Sequence, residues 1–215
     1  MYNMATQPQS SSQSKRTRRA RGSLTVEEIL DAAERVAVAD PRPLTIRAVA
    51  TELGSSPMAL YTYFATKDEL ADALIDRVLR RVPLPDSGDW ADELRELALA
   101  HGQTLMDNRW AIPMLFNSPS PGIGAARLGE AYLEILSRGG ITGERAVSAF
   151  SAIIAVNYGR TAFAAVDHEE ELPALPPELF PHTAASWGAM LGYASQENYE
   201  RALDLVLAGI AAPTG

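Results

Sequence analysis

The chain has 215 residues, 47% of them hydrophobic and 21% charged, enough for one or two domains with a buried core. It contains no cysteine, which excludes disulfides and thiolate metal sites and fits a reducing compartment. The net charge of −8 is unevenly spread: residues 1–26 carry +5, residues 27–81 carry −3 and residues 82–215 carry −10. An acidic protein with a basic arm of Lys15, Arg16, Arg18, Arg19 and Arg21 points to a polyanion partner for that end alone. No apolar run is long enough to span a bilayer, and the polar start lacks the apolar stretch of a signal peptide, so a cytoplasmic protein with no membrane partner is expected.

Residues 1–22 are rich in Ser, Gln and Arg and are expected to be disordered when free, because so few apolar groups cannot offset the entropy of ordering. From Ser23 onward the pattern is helical, and no period-two alternation is long enough for a strand. Thr25 and Glu28 form a capping-box pair opening a helix that Asp40-Pro41 stops. A second helix follows Thr45, with Ile46, Val49, Ala50 and Leu53 inward and Gly54 at its end. Ser56 caps a third, short helix over Pro57–Phe64, with proline at a position needing no backbone donor and Leu60 and Phe64 turned inward. Thr66 and Glu69 open a fourth, ended by Pro83 and Pro85.

The remainder reads as a bundle of longer helices, over about Trp90–Asn108, Ala125–Ser137, Glu144–Val166 and Gln196–Ala211. A short segment lies near Trp110–Phe116 and a proline-rich loop over Leu172–Pro181. The domains expected are therefore a basic arm (1–22), an N-terminal three-helix helix-turn-helix domain (23–82), and an all-α bundle (83–215) for ligand binding and dimerisation.

Two helices joined by Gly54-Ser55-Ser56 have the dimensions of a helix-turn-helix, whose second helix lies in the DNA major groove. The free side of the third helix offers Met58, Ala59, Thr62 and Tyr63, and Tyr61 and Tyr63 bring phenol hydroxyls. Lys67 opens the next helix, where its charge and the free backbone donors can hold one phosphate; Arg47 lies early on the second helix. Bundles that never meet DNA also contain such helix pairs, and the basic arm just upstream favours the DNA reading.

The segment Leu44–Gly54, then Leu60-Tyr61-Thr62-Tyr63-Phe64, then Lys67-Asp68-Glu69-Leu70, resembles the DNA-binding domain of the TetR family of bacterial repressors. Tyr132–Glu171 and the closing Tyr199, Leu203, Leu207, Gly209 and Ile210 resemble the tetracycline-repressor type of C-terminal domain. The resemblance implies an all-helical homodimer that binds a palindromic operator in double-stranded DNA and is released by a small-molecule effector. Its DNA-contacting residues would be Thr45, Arg47, Ser55, Ser56, Pro57, Met58, Ala59, Tyr61, Thr62, Tyr63 and Lys67.

The helices at 144–166 and 196–211 are the expected dimer surface, the first being apolar on more than one side. Candidate effector-lining residues are Trp110, Met114, Phe116, Tyr132, Phe150, Asn157, Tyr158 and Phe163, with Arg160 as a polar group needing a partner. His101, His168 and His182 have no metal-ligand spacing, and His168 among Asp167 and Glu169–Glu171 reads as a solvated acidic loop; no metal and no cofactor is expected. Leu79 and Leu97 stand where tetracycline repressors use polar ligand contacts, which argues against tetracycline itself. No nucleophile elbow, Walker loop or dinucleotide fingerprint occurs, so an enzyme is not expected; the alternative is a helical small-molecule-binding protein without DNA function.

Overall fold

A computed structural model describes residues 24–39, 43–86, 88–118, 122–164, 176–192 and 195–212, and these residues form helices and turns with no strand. The basic arm and the acidic loop at 167–171 lie outside the described residues. The helices in chain order are α1 (Val26–Ala39), α2 (Ile46–Glu52), α3 (Pro57–Leu60), α4 (Lys67–Arg80), α5 (Trp90–Asp107), α6 (Ile112–Asn117), α7 (Gly122–Arg138), α8 (Gly143–Ala164), α9 (Pro181–Leu191) and α10 (Gln196–Ala211). A single 3₁₀ turn, Arg109–Ala111, separates α5 from α6.

The N-terminal helices begin where their caps dictate. Thr25 and Glu28 bond reciprocally, the Glu28 N–H donating to Thr25 Oγ1 at 3.2 Å and the Thr25 N–H to Glu28 Oε2 at 3.0 Å. Thr45, Ser56 and Thr66 each accept an N–H three residues on, at 3.1, 3.3 and 3.0 Å. Gly54 takes φ +63°, and the Ser55 N–H then reaches back to the Ala50 carbonyl at 2.9 Å, closing α2. A side chain at residue 54 would be strained in this left-handed conformation.

Buried apolar residues fall into two clusters. One gathers Ile29, Leu30, Ala33, Leu44, Ile46, Val49, Leu60, Phe64, Leu70 and Leu74 from α1–α4. The other gathers Ile75, Leu79, Val82, Leu94, Leu97, Leu105, Tyr132, Leu136, Ile153 and Leu203 from α4 onward. Helix α4 therefore belongs to both, its first half in the smaller cluster and its second half in the larger. Each fully buried Leu or Ile contributes about 1.5–3 kcal/mol, so α4 cannot slide against either cluster without large cost.

Polar contacts reinforce this position. On the α1 side, Arg77 meets Asp31 at 2.5 Å and Arg81 forks Glu34 at 2.7 and 2.6 Å. Arg81 also donates to Asn108 Oδ1 at 3.2 Å, reaching the end of α5. On the other side, Asp72 accepts from the Ser118 hydroxyl at 2.6 Å, and Asp76 accepts the Gly124 N–H at the start of α7. There a carboxylate on one helix caps the N-terminus of another.

Three features depart from the sequence reading. Regular helix in the third element stops at Leu60, and Tyr61–Tyr63 continue as a turn, although Leu60 and Phe64 are buried as expected. Pro181, expected to end the proline-rich loop, instead opens α9, which runs to Leu191 through residues where the pattern predicts no helix, and buries no residue. Helix α7 starts earlier than expected, at Gly122, where glycine takes φ +83° beside Asp76.

Candidate nucleic-acid interface and buried polar core

The free edge of the N-terminal domain is built on a fixed base. Leu60 is fully buried and Phe64 nearly so, which pins the short third element from below. The residues between and around them then face outward: Met58 is 73% exposed, Tyr61 47% and Tyr63 40%. Ser56, Pro57 and Thr62 are exposed as well, while Ser55 and Ala59 are half-buried. Thr45, Arg47 and Lys67 are exposed on the flanking α2 and α4. All eleven residues singled out from the sequence thus sit on α2 or its N-cap, on α3 or the turns that flank it, or at the start of α4.

The geometry also assigns some of their polar groups. Thr45 and Ser56 use one hydroxyl lone pair in capping and keep the O–H free to donate outward. The Thr62 hydroxyl donates to the Ala59 carbonyl at 2.7 Å, leaving its methyl and an oxygen lone pair for an external partner. The Tyr63 hydroxyl donates to the Leu24 carbonyl at 2.5 Å, so Tyr63 ties the turn after α3 to the entry of α1. The sequence reading treated Tyr63 as a free phenol; its proton is committed within the domain. A contact across 39 residues leaves no local signal.

The C-terminal domain holds a buried polar core. His101 on α5 is fully buried, its Nδ1 lies 3.3 Å from the Tyr132 hydroxyl, and its Nε2 is buried without a hydrogen-bond partner. Burial lowers its pKa from 6.5 to about 4, so the ring is neutral at pH 7. Tyr158 meets the imidazole edge-on at 5.9 Å, Phe116 meets Tyr158 at 6.0 Å, and Phe150 lies 5.4 Å from Tyr132. Burial also raises the Tyr132 and Tyr158 hydroxyl pKa values, keeping both protonated.

Beside this cluster, Asn157 donates to the Ala98 carbonyl at 3.0 Å and accepts from the Tyr199 hydroxyl at 2.9 Å. Gly102 makes room for that hydroxyl, since a Cβ there would lie 2.2 Å from it. Arg160, expected from sequence to need a partner, donates to Gln196 at 2.6 Å and stacks over the Tyr199 ring at 4.2 Å.

The eight effector candidates therefore divide. Tyr132, Phe150, Tyr158 and Phe116 form one aromatic group around His101, with Asn157 next to it. Trp110 and Met114 are drawn elsewhere, to a cleft between the two domains. Phe163 is 53% exposed in the last described turn of α8. From sequence, His101 is weighed only as a metal ligand and Tyr199 only as part of the C-terminal resemblance, because neither carries a local signal of a buried polar contact. No described helix is long and apolar enough to cross a membrane, and no acid or histidine cluster suited to a metal occurs among the described residues.

Residues 29–74 match the family of bacterial regulatory proteins named for tetR, and residues 82–213 match the tetracyclin repressor-like C-terminal domain. The chain belongs to the TetR family. Membership makes it a ligand-responsive, DNA-binding transcriptional regulator of the repressor type rather than an enzyme. It is 26% identical over 219 residues to the transcriptional repressor Rv1353c of Mycobacterium tuberculosis, covering 90% of this chain and 82% of that one. The repressor DrrR1 of Streptomyces coeruleorubidus is 33% identical over 134 residues, 60% of this chain and half of that protein. Among solved structures, ActR of Streptomyces coelicolor in complex with actinorhodin superposes with a TM-score of 0.78 at 23% identity, over 89% of this chain and 97% of that one. The TetR fold and its two parts are thus the architecture described above.

Proposed function

We propose that this TetR-family regulator represses transcription as a homodimer seated on a palindromic operator, and that a small molecule entering the C-terminal core releases it. The observation that carries the DNA half is the outward strip Met58–Tyr63 held over a buried Leu60 and Phe64. A recognition element must be rigid below and free above, and this one is both. Met58, Ala59 and the Thr62 methyl suit apolar contact with a thymine methyl, and Tyr61 a base edge or phosphate. Thr45, Arg47, Ser55, Ser56 and Lys67 then frame the strip with phosphate contacts that set register, while Pro57 and Tyr63 fix its shape, Tyr63 through its bond to the Leu24 carbonyl. The basic arm at 1–22 adds salt-dependent affinity.

The effector half rests on His101. A buried imidazole nitrogen without a partner is costly, and a ligand acceptor or donor placed against it removes that cost. Tyr132, Phe150, Asn157 and Tyr158 surround it, and Phe116, 61% exposed, stands at the edge of the group. A molecule wedged there displaces α7 and α8 relative to α5. Through the Asp76–Gly124 and Asp72–Ser118 bonds, α7 and α6 pull on α4, and α4 carries α1 through Arg77 and Arg81. Two reading heads must lie about 34–36 Å apart to meet successive major grooves, so a rotation of either loses a half-site.

Dimerisation is assigned to α8 and α10, where Val147 and Leu205 are 56% and 76% exposed and Ile154 and Val156 are half-covered. The test is to sequence the genomic fragments the protein retains and measure affinity for the palindrome they share. Arg47→Ala and Lys67→Ala are expected to weaken binding uniformly across sequences, and sedimentation should give two chains per site. A monomer, or retention of random fragments only, overturns the reading.

A further inference from the structure

A cleft of about 520 Å³ opens between the two domains, away from the aromatic core. We propose that this cleft is a second small-molecule site, fitted to a flat apolar molecule that carries one acidic group. Its walls come from both bodies: Val38, Leu44 and Ala71 from the reading head, Trp110, Pro113 and Met114 from the 3₁₀ turn and α6. The volume is that of a drug-sized pocket, and apolar walls with a few polar groups at the rim are what such pockets share. Trp110 is partly buried against the head cluster and Met114 is partly buried between the two clusters, so an apolar guest completes a contact that the protein leaves half made.

The rim chooses the guest's charge. Lys67 has Asp68 at 3.8 Å, and Asp72 accepts from Ser118. The Arg109 side chain forms no hydrogen bond or ion pair among the described residues and lines the same cleft, and only its backbone carbonyl is bonded, to the Ile112 N–H. A guanidinium fork in that position suits a carboxylate or sulfonate, which it can hold by two parallel bonds. Lys67 lies in both places, on the cleft and on the face proposed to meet phosphate, and a guest spanning the cleft ties the head to α6. The site shares no residue with the His101 group and goes beyond the effector core proposed above.

The chain has no cysteine, so Ala71→Cys places a unique thiol in the cleft, and Ser137→Cys places one on the exposed surface of α7. The probes are 1-anilinonaphthalene-8-sulfonate and its uncharged relative N-phenyl-1-naphthylamine, and the readout is the rate at which a disulfide reagent modifies each thiol in the full-length protein. At ten times its dissociation constant the sulfonate should slow the Ala71→Cys reaction about tenfold and leave Ser137→Cys unchanged. Adding Arg109→Gln should weaken sulfonate protection about tenfold and leave the naphthylamine unaffected. His101→Gln should change neither, so failure of the core reading and of this one are separable. Unprotected Ala71→Cys, equal protection of both thiols, or an Arg109→Gln variant that holds the sulfonate as tightly as the parent overturns the proposal.

Discussion

The buried imidazole of His101 makes stability depend on pH in a way that can be calculated. Its pKa is about 4 in the folded chain and 6.5 for a free side chain. Between these values the unfolded chain binds the proton and the folded chain does not, so stability falls as pH drops from about 6.5 toward about 4. Linkage puts the loss from this one group at about 2 kcal/mol between pH 7 and pH 5. The carboxylates contribute their own pH dependence, but it is common to parent and variant. The measurement is urea unfolding of the parent and of His101→Gln at both pH values and one fixed protein concentration. The parent should lose about 2 kcal/mol more than the variant over that interval. Equal losses in the two proteins, or an imidazole resonance assigned to His101 that titrates near its ordinary value, would refute the reasoning. The same neutrality bears on ligand chemistry, because an uncharged ring presents a hydrogen-bonding nitrogen rather than a cation.

Three further outcomes follow from the packing. Gly102→Ala should destabilise by about 1–3 kcal/mol, because the new methyl meets the Tyr199 hydroxyl; Tyr199→Phe should relieve part of that cost, read by thermal melting of the double variant. Gly124→Ala should be harder to relieve, because its Cβ would lie 2.5 Å from the Asp76 backbone carbonyl; unfolding midpoints should fall, and no shortening of the Asp76 side chain should restore them. Removing residues 1–22 deletes five cations and should lower the slope of log affinity against log salt by up to about 4–5 if every one neutralises a phosphate. An unchanged slope would take the arm out of the interface.

The parts of the fold legible in the sequence are those with chemical punctuation. Thr45, Gly54, Ser56 and Thr66 each fix a helix end through one backbone bond and Thr25 with Glu28 through two, and each bond forms as the residue types demand. Helix α9 escaped because it buries nothing and so shows no apolar stripe; its His-Thr-Ala-Ala-Ser-Trp-Gly run has neither period nor polar cap. The proposed reading face can be drawn from sequence because it is local, contained within Thr45–Lys67. The buried polar core proposed to take the effector is assembled from α5, α7 and α8, so sequence spacing gives only some of its members. The turn at Asn108 carries Trp110 to the cleft beside α4 and leaves Met114 between that cleft and the larger cluster, and no spacing along the chain announces where a turn will point. The clamp from Tyr63 to Leu24 was hidden for the same reason.

The central claim is that the strip over Leu60 and Phe64 is the surface that reads DNA. Substituting Met58→Glu, on a side chain 73% exposed, sets a negative charge against the phosphates without touching the core. Affinity for the retained palindrome, measured by fluorescence anisotropy beside the melting curve, should fall by more than about tenfold at unchanged stability. A variant that melts with the parent and holds the palindrome just as tightly would contradict the account.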